Sequence, residues 1–384
     1  MITHLKVYFT HKKSLAIGAV FITLGILFGN WATLIPFVKQ KYALNDAELG
    51  LLLLSMPLGA TIANPLSALL INRFGMRKTT IIGVICLSVA YSIPVSANQL
   101  FVASMGLILT GICLSITNIA MNTCVTAIEH EDQINIMSTC HGMFSAGLML
   151  GSIMASILIG FQINPTIHVI SVSSVMILLA FYVRPIIMNI HEEKVEESGA
   201  KFSFPKGALL MMILISICIN VTEGSMADWT AVYMREVVHT NDYFIGWGLA
   251  GYSMFMATGR FVGDSLIPKY GTNHILIVGG IVSALGLSLA LLLPYTFTAI
   301  IGFALVGAGV SCGAPIMYGS AARIPNMAKG AGLATMNTFS MLGFLAGPVL
   351  IGFISKSVNL SFAFVVVGIL GLIWAFLVSK VKLY

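Results

Sequence analysis

Twelve predominantly apolar runs, each long enough to cross a bilayer as a helix, occupy most of this chain. They are 14–38, 47–71, 79–97, 100–128, 137–161, 165–187, 207–237, 243–267, 274–294, 296–322, 330–355 and 358–380. A spanning helix takes about 20 such residues. In lipid a segment of that kind must satisfy its backbone hydrogen bonds internally, which points to an all-α membrane protein with twelve transmembrane helices. Only 9% of the residues are charged, against roughly 25% in soluble domains. Mean hydropathy is +0.95. The net charge of +6 does not point to nucleic acid, because the basic residues sit at segment ends, where they set topology.

With the N-terminus inside, Lys39, Lys41, Arg235 and Lys356 fall on the outer side and Arg260 within a helix. The other fifteen of the twenty Lys and Arg fall on the inner side. The positive-inside rule therefore places both termini in the cytoplasm. The expected location is a bacterial inner (plasma) membrane. The run 14–38 is too long for a cleavable signal and lacks a small-residue cleavage site. The six cysteines all lie in apolar segments without a CxxC pair, so neither a zinc site nor a disulfide framework is expected.

The longest polar connection falls between segments six and seven. It divides the chain into a six-helix bundle at 1–187, a cytoplasmic linker at 188–206 and a second six-helix bundle at 207–384. The halves repeat each other. Asn30-Trp31 answers Asp228-Trp229 at an offset of 198, and Gly50 answers Gly246 at 196. Leu109, Gly111 and Ser115 answer Leu305, Gly307 and Ser311, and Gly151 answers Gly347, also at 196. Six helices per half in the same orientation make a parallel pseudo-repeat, an arrangement that puts a binding site at mid-depth between halves.

Twelve helices, a parallel repeat and a central linker resemble the major facilitator superfamily. Asn72-Arg-Phe-Gly-Met-Arg-Lys78 is similar to that family's loop motif, with Asn72 in place of its acid and Met76 in place of an Arg. Gly29-Asn-Trp-Ala-Thr-Leu-Ile-Pro36, His141-Gly-Met-Phe-Ser145 and Glu223-Gly-Ser-Met-Ala-Asp-Trp229 resemble the MosC-like, rhizopine-transporter-like branch. The resemblance implies the major facilitator fold and transport of a small molecule. Drug-antiporter branches carry Gly-x-x-x-Gly-Pro on segment five. Here the Pro follows only Gly343-xxx-Gly347 on segment eleven, and Gly147-xxx-Gly151 lacks it.

The candidate chemistry centres on Glu223 and Asp228, acids near the middle of segment seven. A charge at bilayer depth costs about 3 kcal/mol on insertion scales, so an acid there faces a cavity or a partner and is suited to exchange a proton. Five residues at about 100° separate the two by roughly 140°, so they cannot share one line of sight. His141 is a further proton-relay candidate, with a structural role as the alternative. Candidate cavity residues are Asn30, Trp31, Asn118, Asn122, Trp229, Tyr252 and Asn337. The tryptophans read equally as interfacial anchors, and Asn118 with Asn122, four apart on one helical face, as helix–helix hydrogen bonders. Arg73, Arg77, Glu129, Arg260 and Asp264 form a candidate cytoplasmic latch, against the alternative that the arginines only fix topology.

No Walker loop or catalytic constellation stands out, so neither an enzyme nor an ATP-driven pump is expected. No second His lies at ligand spacing from His141, and no metal or cofactor is expected. The expected partners are a small-molecule solute, protons and the lipid bilayer, with the protein a monomer. The reading is a proton-coupled secondary transporter of a small polar organic solute working by alternating access. Proton-driven efflux of drugs or apolar metabolites is the alternative.

Overall fold

The computed structural model describes residues 8–192, 205–324 and 331–383, with the backbone but not the side chain of Asp264. Most of the expected linker, with Lys194 and Lys201, lies outside the described residues, as does Lys329. Among the described residues the regular structure is helical, without a strand. The long elements are α1 (Lys12–Lys41), α2 (Asp46–Phe74), α3 (Met76–Ser96), α4 (Leu100–Asp132), α5 (Met137–Gly160), α6 (Pro165–Ile187) and α7 (Gly207–Glu236). They continue as α8 (Trp247–Tyr270), α9 (Thr272–Leu292), α10 (Thr296–Val310), α11 (Gly313–Ala322), α12 (Ala331–Ser357) and α13 (Leu360–Lys380).

Eleven helices among the described residues are long and apolar enough to cross a membrane, counting α10 and α11 as one. The remaining long helix, α8, has 24 residues and carries Arg260, Asp264 and Lys269. Local chemistry explains several helix starts. Asn164 accepts from Thr166 N ahead of α6, with Pro165 at the first helical position. Asn45 and Glu48 exchange side-chain to backbone hydrogen bonds at the start of α2, a capping box.

The run 296–322, expected as one helix, is two. The break at Ser311-Cys312 follows from Pro315. Its ring crowds the carbonyl four residues back and offers that carbonyl no N–H. Ser311 Oγ donates to the Ala308 carbonyl at 2.7 Å, and Cys312 Sγ donates to the Gly259 carbonyl of α8 at 3.6 Å.

The helices fall into two compact units, residues 1–42 with 55–197 and residues 43–54 with 198–384. Within the second unit the start of α2 packs on α12, where Gly50 approaches Pro348 and Ser355 Oγ donates to Asp46. Each unit, taken by itself, is assembled from the same helix pairs. In the first, α1 packs on α5 and α6, and α3 on α4 and α6. In the second, α7 packs on α12 and α13, and α9 on α10 and α13.

Two pairs of close backbone approaches repeat too. A Cβ on Gly147 would meet the carbonyl of Ile22, and one on Gly343 the carbonyl of Ile217. A Cβ on Gly111 would meet the carbonyl of Met56, and one on Gly307 that of Tyr252. The partners stand 195 or 196 residues apart in every case. With no water to expel from between them, helices in lipid associate through such close packing of small residues. The repeat visible in the sequence is therefore a repeat of helix–helix contacts.

Candidate functional site

The polar centre of the second unit is built on α7 and α8. These helices run antiparallel, and their register is set where Gly248 of α8 meets Thr230 and Met234 of α7. Glu223 lies seven residues before Thr230, two helical turns along the same face. Advancing by the same length from Gly248 reaches about position 255, between Tyr252 and Arg260. Glu223 is half-buried, and its Oε1 is sealed from solvent with no hydrogen-bond partner. Tyr252 is 2% exposed, and its hydroxyl is likewise buried without a partner. Arg260, half-buried, acts electrostatically on both groups. The structure thus brings together a proton-coupling candidate, a cavity candidate and a latch candidate that the sequence had kept apart.

Asp228 belongs to a different row. Ile217, Val221 and Gly224 approach Gly343, Gly347 and Phe344 of α12, and Asp228 continues that row one turn on, half-buried. On the same helix Asn220 is 4% exposed and donates through Nδ2 to the Ser340 carbonyl of α12 at 2.8 Å. Tyr318 Oη and Ser340 Oγ lie 3.1 Å apart. The reading of candidate residues had missed Asn220. Its signal was an amide in an apolar run, three residues from the acid it precedes.

In the first unit, Asn30 is buried and donates to the Gly151 carbonyl of α5 at 3.2 Å, while its Oδ1 has no partner. Trp31 and Trp229 are both fully enclosed, each with an unpartnered indole N–H, so neither ring lies at a lipid-facing surface. Asn118 is exposed and half-buried Asn122 donates to it, to the carbonyl at 2.8 Å and to Oδ1 at 3.2 Å. Asn337 is exposed on α12. His141, half-buried on α5, sits edge-on to Phe21 of α1 at 5.4 Å between ring centroids.

The other latch candidates are dispersed. Arg77 pairs with Glu192 and donates through Nη1 to the carbonyls of Met188 (2.6 Å) and Ile190 (3.2 Å), so it fastens the chain where it leaves α6. Glu129 Oε1 accepts from the backbone N–H groups of Ile136 and Met137 at 2.6 and 2.8 Å and so caps α5. Glu131 and Asp132 pair with Lys13 at 2.7 and 3.5 Å. Arg73 lies over the Phe74 ring. The side chain of Asp264 is outside the described residues.

Comparison with known proteins gives a consistent picture. The family model described as Major Facilitator Superfamily matches residues 16–241 and 213–382. An uncharacterized MFS-type transporter of Yersinia pestis is 31% identical over 350 residues, covering 91% of each chain. Membrane protein MosC of Rhizobium meliloti is 29% identical over 366 residues, covering 94% of this chain and 89% of MosC. Among solved structures, the nucleoside transporter NupG superposes with a TM-score of 0.73 at 10% identity, covering 96% of this chain and 98% of NupG. A single-residue variant of the Escherichia coli fucose:proton symporter FucP gives 0.62 at 14% identity, covering 96% and 98%. At those identities the likeness is one of fold.

Proposed function

Because the chain belongs to the major facilitator superfamily and is an integral membrane transporter rather than an enzyme, we propose that it moves a small polar organic solute in symport or antiport with protons. Glu223 carries the coupling. The observation behind this is the sealed, unpartnered carboxylate oxygen at the middle of α7, within electrostatic reach of Tyr252 and Arg260. A carboxylate left there without a hydrogen bond is costly, and a proton or a solute hydroxyl relieves it. The working bodies are the bundles 1–187 and 207–384, joined by the linker 188–206, which rock to expose the site alternately. Protonation of Glu223 on one side and its release on the other tie the proton to that motion. Asp228 is the second proton candidate, placed against α12. The protein acts as a monomer in the bacterial inner membrane, with both termini cytoplasmic.

The test is a reconstituted uptake assay over a panel of sugars, inositols, amino compounds and drugs, with and without an imposed pH gradient. Glu223→Gln abolishes gradient-driven accumulation and leaves counterflow exchange. Accumulation by Glu223→Gln at the wild-type level, with Asp228→Asn also active, would falsify the coupling scheme.

A further inference from the structure

Among the described side chains, the cluster of α7 and α8 holds one acid, Glu223, and one base, Arg260, with the phenol of Tyr252. We infer that the solute it receives is a neutral, hydroxyl-rich molecule, such as a polyol or sugar, rather than an organic cation or anion. This rests on the transporter reading above and narrows the substrate class of the same site.

Glu223 Oε1 and Tyr252 Oη are both buried and both without a partner. Buried polar atoms in native proteins nearly always have one, and a ligand with a hydroxyl would supply it to both of these at once. An ionised carboxylate only accepts, and a phenol donates and accepts. A solute hydroxyl matches both at once, donating to Glu223 while accepting from Tyr252. An ammonium can donate to both groups but offers the phenol O–H no acceptor, and a carboxylate has no donor for an ionised Glu223.

The charges point the same way. The Arg260 guanidinium is a cation, and it acts on both Glu223 and Tyr252. An organic cation attracted by Glu223 is repelled by Arg260, and an anion meets the reverse. A neutral solute is subject to neither opposition. The distinction sharpens when Glu223 takes up a proton, because Arg260 then stands unopposed by Glu223 and disfavours any cation. A protonated carboxyl still offers a hydroxyl solute both a donor and an acceptor. Asp228 does not alter this balance directly, since it lies on the row facing α12.

The scaffold holds these groups in place. Gly248 fixes α8 against Thr230 and Met234, and the Tyr252 carbonyl abuts Gly307 of α10. Both glycine contacts leave no room for the helices to slide closer, so the phenol and carboxylate keep their spacing when the solute arrives.

The experiment uses the purified full-length protein, with ligand-induced thermal shift and titration calorimetry. The probes are matched sets: myo-inositol, D-glucose, D-ribose and sorbitol, then their amine-bearing and carboxylate-bearing counterparts, such as glucosamine and glucuronate. The expected result is binding by at least one neutral member, with its charged counterparts at least tenfold weaker. Tyr252→Phe weakens the neutral ligand by about tenfold, the worth of one hydrogen bond. Arg260→Met shifts preference toward the amine counterpart, and Glu223→Gln toward the carboxylate counterpart, each by tenfold or more.

The proposal is overturned if the wild type binds only charged probes, if it binds no neutral one at concentrations up to about 10 mM, or if the charge variants leave selectivity unchanged. The wild-type panel decides the matter even where a variant fails to fold. Binding in detergent needs no translocation. Neutral solutes that bind in this pattern but are not moved by reconstituted protein would sink the transport reading alone. Accumulation of a charged solute would sink this inference alone.

Discussion

Gly343 and Gly347 stand one turn apart on α12, and the structure gives the same substitution opposite outcomes at the two. A Cβ at Gly343 would lie 2.8 Å from the Ile217 carbonyl oxygen and 2.7 Å from Asn220 Cβ. Non-bonded carbons rest at about 3.5–4.0 Å, so α7 would have to retreat by roughly 1 Å. Overpacking of this kind costs about 1–3 kcal/mol. At Gly347 the nearest atoms, Val221 O and Cα, are 3.6 and 3.7 Å away, which is ordinary contact. Replacing a helical glycine by alanine gains up to about 1 kcal/mol of helix propensity at either position. Gly347→Ala is therefore neutral or mildly stabilising. Gly343→Ala is less stable than Gly347→Ala by about 1–3 kcal/mol. Thermal unfolding in detergent, followed with a thiol-reactive dye, reads the difference, because Cys218 and Cys312 are buried in the same unit. If Gly343→Ala melts at or above Gly347→Ala, the close approach of α7 and α12 is wrong as described.

Two further outcomes follow from polar contacts. Asn30→Ala and Asn220→Ala each remove one interhelical hydrogen bond, to Gly151 and Ser340, and should lower stability by about 0.6 kcal/mol and not above about 1.7. A larger loss would mean that either amide does more than tie two helices. Arg77→Glu breaks the pair with Glu192, and Glu192→Arg in the same chain restores opposite charges. A double-mutant cycle on melting should return a coupling of about 1 kcal/mol or less, since both side chains are about a third exposed. Coupling of Arg77 to Glu129 instead would restore the latch expected from the sequence.

Fold class and repeat were legible because they are written in periodic, one-dimensional signals. Apolar runs of spanning length define the helices, and glycines at a constant offset define which helices touch. The failures are those of three-dimensional partnership. Arg260 stands four residues before Asp264 and Glu129 lies near the end of α4, so a shared cytoplasmic latch was a reasonable reading. The register of α7 on α8, set by Gly248 against Thr230, brings Arg260 within electrostatic reach of Glu223, and no sequence spacing encodes that register. Glu129 is engaged by backbone N–H groups seven and eight residues on, a capping contact across a turn. The break before α11 did have a local sign, Pro315 among Gly309 and Gly313, which the uninterrupted apolar run concealed.

The repeat also separates what the fold needs from what it merely tolerates. Contacts of Ile22 and Ile217 with their glycines set the α1/α7 offset at 195, correcting the 198 read from Asn30-Trp31 and Asp228-Trp229, and make Phe28 the counterpart of Glu223. The offset of 196 between Met56 and Tyr252 makes Asn64 the counterpart of Arg260. The first unit therefore assembles the equivalent helices with Phe, Met and Asn where the second has Glu, Tyr and Arg. Charge at this depth is therefore not required for helices to pack in this way. The triple variant Glu223→Phe, Tyr252→Met, Arg260→Asn should thus melt no lower than the wild type while losing solute binding and gradient-driven accumulation together. A variant that cannot fold would show that the cluster holds the second unit together, and a folded one that still accumulates solute would show that the cluster is idle. Either result would remove the physical reason for placing the transport site on α7 and α8.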